Sequence, residues 1–304
     1  MLSSANNTRS RFELTDRQLA FLLIAPSGLL ILGFTIYPVF QGIWSSFHHI
    51  DAATLAMRFV GLENYSRVLG DNLFWESLGR NLLWVFVGMA AQLVIGLGMA
   101  LLLHQPLMGR TLARGLVLFP YLIPAIVVAL TWRFVLDPTL GIFNRMLLDF
   151  GIIDRPIAIL ANPQTALLFV IIAGIWKYTP FMTIMLLARL QIIPTDQEEA
   201  ARLDGANSWQ VFRYITLPWL MPVILIAMLL RTIWSFNEFE MVYLFASGGP
   251  LFGTTTLPLL VRHFTVVTRQ LGPAATTATL MVLILMAMSW VYFKLYAQAE
   301  QDLA

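Results

Sequence analysis

The chain has 304 residues, of which 58% are hydrophobic and only 12% charged, with a formal net charge of +2 at neutral pH. A soluble surface draws on roughly a quarter charged residues, so lipid must cover much of this one. No basic tail points to nucleic acid, and the absence of cysteine excludes disulfides, thiol catalysis and Cys-ligated metals.

Residues 1–18 read as a polar N-terminal tail carrying Arg9, Arg11 and Arg17. Six apolar runs follow, at 19–44, 82–103, 116–136, 166–188, 219–246 and 275–296. Each is long enough to cross a hydrocarbon core of ~30 Å as a helix. The first run is too long for a cleaved leader and is read as a retained helix. The expected fold is therefore all-α and integral to the membrane, with six transmembrane helices in one bundle over 19–304. Basic residues in the loops nearly balance across the two sides. The arginines of the tail, and Arg110 and Arg114 in a loop without acids, favour cytoplasmic N- and C-termini. Pro26, Pro38, Pro120, Pro124 and Pro180 fall within or at the ends of the runs, where each marks a packing kink or a bend that lines a cavity. His48, His49, His104 and His263 lack the i, i+4 spacing of a helical metal pair, so no metal site is expected.

The segment 189–218 between the fourth and fifth runs is the most informative. Thr195 is placed to cap a short helix, with Glu198 completing a capping box. Gly205 can end that helix in a left-handed turn, and Asn207 or Ser208 can cap a second helix leading to Pro218. The predicted product is a helix–turn–helix elbow exposing charges together with Trp209 and Phe212, which suits docking.

In this elbow Glu199-Ala200-Ala201, Asp204-Gly205, Ile215 and Leu217-Pro218 resemble, in identity and spacing, the "EAA" loop of bacterial ABC importer permeases. That resemblance implies a coupling helix on the cytoplasmic face, seated in a cleft of an ATP-hydrolysing subunit. Glu199 would pair with a basic residue there, and Gly205 would permit the bend. Further blocks are similar to the carbohydrate permeases of the maltose and glycerol-phosphate importer group. They are Phe236-Asn-Glu-Phe-Glu-Met-Val-Tyr243, Gly248-Gly-Pro250, Thr254-Thr-Thr256, Trp132 with Gly141-Ile-Phe-Asn144, Trp176 with Pro180-Phe181, and Leu187-Ala-Arg-Leu-Gln191. The resemblance implies an inner-membrane permease subunit that forms half of a sugar pathway. Its implied partners are a second, similar permease, two ATPase subunits and a periplasmic or lipid-anchored binding protein. ATP belongs to the separate subunit, because neither Lys177 nor Lys294 follows a Gly-rich phosphate loop. No catalytic constellation is evident, so no enzyme activity is expected of this chain. The elbow leaves open a non-carbohydrate solute such as glycerol phosphate or a polyamine. A secondary transporter would have no use for the elbow.

Ionisable residues inside apolar runs are candidates for function because isolated charges in lipid are costly. Arg231, Trp234, Ser235 and Glu238 fall at the spacing of one helical face, as do Gly174, Lys177, Tyr178 and Phe181. Aromatic planes with hydrogen-bonding groups suit a sugar, and the resemblance points to the same eight positions as sugar-contacting. The residues themselves leave two further readings of Lys177 and Arg231: partners for Glu238, Glu240 or backbone carbonyls, or hooks for an anionic sugar.

Overall fold

The computed structural model describes residues 15–301; residues 1–14, with Arg9 and Arg11 of the expected tail, lie outside the described residues. In chain order it forms α1 (Asp16–Ser46), a hairpin of β1 (His48–Ile50) and β2 (Met57–Phe59), α2 (Glu63–Leu69), α3 (Asn72–His104), α4 (Arg110–Leu122), α5 (Ala125–Val135) and α6 (Ile142–Asp149). There follow α7 (Pro163–Leu190), α8 (Thr195–Leu203), α9 (Ser208–Phe236), α10 (Glu240–Ala246), α11 (Leu257–Val267) and α12 (Leu271–Gln301). Among them α1, α3, α7, α9 and α12 are long and apolar enough to cross a membrane.

The third expected run, 116–136, is not one straight helix. It is the pair α4 and α5, bent by 88°. The break falls at Ile123–Pro124. Proline lacks an N–H and drives the residue before it into extended backbone, and Ile123 has φ −71° and ψ 131°. Pro120 lies within α4 without ending it.

The fifth run, 219–246, is also divided. α9 stops at Phe236 and α10 restarts at Glu240. Two polar side chains make the break: Asn237 Nδ2 donates to the Ile233 carbonyl at 2.9 Å, and Glu238 accepts the Met241 N–H at 3.0 Å. At its other end α9 reaches back to Ser208, passing through a π-helical turn at Phe212–Thr216. The second short helix of the elbow is thus continuous with the long one. α3 begins at Asn72 rather than at 82, because Asp71 caps it by accepting the Leu73 N–H at 2.9 Å. Its 33 residues make a rod of about 50 Å, well beyond the hydrocarbon thickness.

The bundle is built on α3 and α7, which lie against each other along their length. Gly96 lets the two backbones meet: a β-carbon there would stand 2.8 Å from Cβ of Met182. α9 packs across both helices, and α12 packs on α9 and on the Tyr37–Ser46 end of α1. The Asp16–Ile31 part of α1 buries none of its residues. Both halves of the bent pair touch α7, but α4 rests on it mainly, whereas α5 rests mainly on α10 and reaches α7 where Trp132 meets Trp176.

Gly96→Leu should separate α3 from α7 at the expense of roughly 1–3 kcal/mol, the usual cost of overpacking. Thermal unfolding of the purified protein in detergent should show a lower midpoint, whereas the same change at Gly98, which has no neighbouring atom within 4 Å, should leave it nearly unmoved.

Candidate functional site

The expected solute-site residues converge between α4, α7 and the end of α9. Arg231 is 3% exposed, and its guanidinium is held on three sides. Nε donates to Gln92 Oε1 of α3 at 3.1 Å, an outer nitrogen donates to Ser235 Oγ at 2.9 Å, and the group lies over the Tyr178 ring at 4.2 Å. The Tyr178 hydroxyl in turn donates to Glu238 at 2.9 Å. A buried charge needs this kind of shell, since desolvation without hydrogen bonds is severely unfavourable. Arg231 and Glu238 are therefore linked through Tyr178 rather than joined as an ion pair.

Glu238 does not lie on the α9 face with Arg231 and Ser235, because α9 ends before it. It reaches the site from the break, where its other oxygen starts α10. Lys177 also forms no ion pair; among the described residues the ion pairs are Arg80–Glu76 at 2.8 Å and Arg145–Asp149 at 3.8 Å, both outside this site. The Lys177 ammonium donates to the backbone carbonyl of Ile123. Gly174 faces Trp84: a β-carbon there would stand 2.3 Å from the indole, so the bare backbone makes room for that ring. Trp84 itself donates to the Ser235 carbonyl at 3.0 Å, tying α3 to the end of α9.

Phe181 and Trp234 form the aromatic part, meeting edge to face at 5.1 Å. Tyr121, near the end of α4, joins them. Its ring stacks near Phe181 at 6.3 Å and meets Tyr178 edge-on at 6.5 Å. Trp234 is 44% exposed and Tyr121 37%, so both present surface beside the buried network. Gln92, Trp84, Tyr121 and the Ile123 carbonyl are absent from the sequence-derived set. A glutamine deep in an apolar run is the one signal among them that a sequence carries. Beside the bend, an apolar cleft of about 630 Å³ is lined by Leu116, Val117, Pro120, Trp176 and others; its one hydroxyl, on Thr179, is spent on the Ile175 carbonyl at 2.7 Å. It offers little to a polar solute. Among the described residues no group of three acidic or histidine side chains is placed to hold a metal ion.

The elbow is a second exposed feature. α8 starts at Thr195 with Pro194 at its cap position, so Thr195 is the first helical residue and makes no side-chain cap, contrary to the expected capping box. Gly205 ends the turn at φ +89°, and the Ala206 N–H returns to the Ala201 carbonyl at 2.9 Å. Asn207 Oδ1 accepts the Gln210 N–H at 3.0 Å, and the Asn207 N–H donates to Gln210 Oε1 at 2.7 Å, forming a capping box. Trp219 Nε1 donates to Gln197 at 2.8 Å and fastens α8 to the base of α9. Glu199 and Asp204 are exposed, as are Leu203 at 89% and Trp209 at 68%. A rigid, capped elbow that leaves large apolar side chains in the open has the character of a docking surface.

Residues 92–300 match the family described as the binding-protein-dependent transport system inner membrane component. The chain belongs to this family. It is accordingly a multi-pass inner-membrane component, a permease of the ABC importer kind. Over 85% of its length it is 39% identical to the trehalose/maltose transport system permease protein MalF of Thermococcus litoralis, covering 87% of that protein. It is 34% identical over 82% of its length to the trehalose transport system permease protein SugA of Mycobacterium tuberculosis, covering 80% of it. The sulfoquinovosyl glycerol transport system permease protein SmoG of Agrobacterium fabrum is 33% identical over 93% of this chain and is covered to 92%. The fold is that of a chain in a bacterial ABC transporter involved in import of the acidic polysaccharide alginate. The TM-score is 0.81 and the identity 20%, with 92% of this chain and 95% of that one aligned.

Tyr178→Phe in this permease removes the hydroxyl that bridges the ring beneath Arg231 to Glu238. Because Arg231 keeps Gln92 and Ser235, the subunit should still reach the membrane in normal amount, and half-saturating solute for uptake should rise about tenfold or more, the worth of one hydrogen bond to a charged group. Transport assays on membranes with matched subunit levels measure this.

Proposed function

We propose that this permease is one of two membrane subunits of an ATP-driven importer of a neutral sugar, of the trehalose or maltose kind. The observation that carries the reading is the juxtaposition of aromatic faces on Tyr121, Phe181 and Trp234 with the polar network of Tyr178, Glu238, Arg231 and Ser235. Aromatic rings stack on the apolar side of a sugar ring, and a carboxylate with hydroxyls takes its hydroxyl groups. Gly174 and Lys177 stand behind this site, Gly174 under the Trp84 ring and Lys177 on the Ile123 carbonyl. A neutral solute is favoured because both cations are already engaged within the protein, Arg231 by Gln92, Ser235 and Tyr178, and Lys177 by a carbonyl. The relatives named for trehalose or maltose support the same class, while the sulfoquinovosyl glycerol relative supplies the anionic competitor for a test.

In this reading the bent pair α4–α5 counts as one crossing, so that six spans return the C-terminus to the cytoplasmic side of the N-terminus. The elbow then faces the cytoplasm. Glu199-Ala200-Ala201, Asp204 and Gly205, with Leu217 and Pro218 at the base of the long helix, form the coupling helix that meets an ATPase subunit. A second, similar permease completes the pathway, and a binding protein delivers the sugar at the outer loops near Gly248-Gly-Pro250. Nucleotide-driven closure of the ATPases moves the elbow, and the bundle exposes its site alternately to the two sides.

Uptake of labelled trehalose and maltose by cells carrying the full importer tests the substrate; sulfoquinovosyl glycerol should compete poorly, and strong competition by it with no uptake of either disaccharide would overturn the neutral-sugar reading. For coupling, the Glu199→Lys/Gly205→Pro variant should assemble yet lose most of its solute-stimulated ATP hydrolysis. Full stimulation in the purified complex would remove the elbow from that role.

A further inference from the structure

Lys177 is the one buried lysine of the chain, 5% exposed, and its ammonium goes to a place that a search for acids does not reveal. It donates to the carbonyl of Ile123, the residue standing between α4 and α5. That carbonyl follows the C-terminal end of α4 on extended backbone, and among the described residues no backbone N–H outside the helices donates to it. Pro124 follows and brings no N–H for the Pro120 carbonyl one turn back, so α4 cannot run on through the break. In an apolar surrounding such a carbonyl needs a donor from elsewhere, and the Lys177 ammonium supplies it. Lys177 also lies 5.4 Å from the Tyr178 ring, which helps to hold the ammonium in place.

The location gives this contact its consequence. Lys177 lies on α7 beside Tyr178 and one turn before Phe181, the two rings that Tyr121 of α4 touches. Tyr121 is two residues from the carbonyl that Lys177 holds. The lysine therefore fastens the end of α4 to the helix face that carries the rest of the aromatic cluster. We propose that Lys177 is a positioning residue: it pins the broken third segment to α7, keeps Tyr121 against Tyr178 and Phe181, and so sets solute affinity without touching the solute. This rests on the solute site argued above, but the pinning itself is a property of the protein alone.

Two measurements on the assembled importer test it. In the first, half-saturating trehalose for uptake is compared among wild type, Lys177→Met, Lys177→Arg, Tyr121→Ala and the Lys177→Met/Tyr121→Ala double variant. Loss of a buried charged hydrogen bond should raise that concentration about tenfold in Lys177→Met, with the maximal rate held within about twofold. Lys177→Arg, which keeps the charge and a donor, should recover most of the affinity. The double variant should be little worse than Tyr121→Ala, because both changes remove the same ring from the site. Unchanged affinity in Lys177→Met, a fall in maximal rate alone, or additive effects in the double variant would overturn the proposal.

The second measurement needs no solute. The chain has no cysteine, so cysteines introduced at exposed Leu116 on α4 and Leu130 on α5 take a unique pair of spin labels. Lys177→Met should broaden or shift the distance distribution across the bend, and Lys177→Arg should restore it. An unaltered distribution in Lys177→Met would overturn the pinning whatever the solute. If the distribution moves as expected while the wild type takes up no neutral sugar, the pinning stands and the substrate reading falls.

Discussion

Polar atoms inside an apolar bundle have little water to turn to, and leaving one without a partner from the same chain is costly. Around Arg231 this requirement draws three helices to one point. Gln92 comes from α3, Tyr178 from α7 and Ser235 from α9, with Glu238 arriving from the break beyond α9. Remove the guanidinium and several buried groups lose their counterpart together. The tight seam between α3 and α7 serves the same end, since Gly96 and Gly174 let the helices come close enough for side chains on both to share partners. The site is thus less a hollow that happens to hold polar residues than the place where the bundle's polar atoms satisfy one another.

Its two breaks follow from the same constraint. A helix that stops inside the apolar region leaves carbonyls and N–H groups unmatched, so each stop is found where a side chain can serve it. Lys177 serves the end of α4, Asn237 the end of α9, and Glu238 the start of α10. Of the ionisable residues that hydropathy flags as misfits inside the fifth run, Glu238 serves its interruption, together with the neutral Asn237.

Much of this was legible in the residues. Long apolar runs announced α1, α3, α7, α9 and α12, and the positions of Gly205 and Asn207 announced the turn and cap of the elbow. Apolar periodicity cannot see where a helix stops, however, because a broken run and a continuous one have the same composition. So the 88° bend and the division at Asn237 were read as continuous crossings. Thr195 was read as a cap because its hydroxyl and Glu198 have the right spacing, but Pro194 occupies that position and Thr195 is already helical. Of the cluster around Arg231, Tyr178, Phe181, Arg231, Trp234, Ser235 and Glu238 were named from spacing and resemblance. Tyr121 and Gln92 were not, since they come from other helices and meet the cluster only through the packing of α3 and α4 on α7.

That packing divides the labour unevenly. α3, α7 and α9 are stitched together by close backbone contact, by Trp84 and by the arginine's shell. Tyr121 stands on a separate, short, bent strut with its own footing on α7. Residues on the strut can therefore change without disturbing the buried bonds that join α3, α7 and α9, and the two parts of the cluster are free to vary separately.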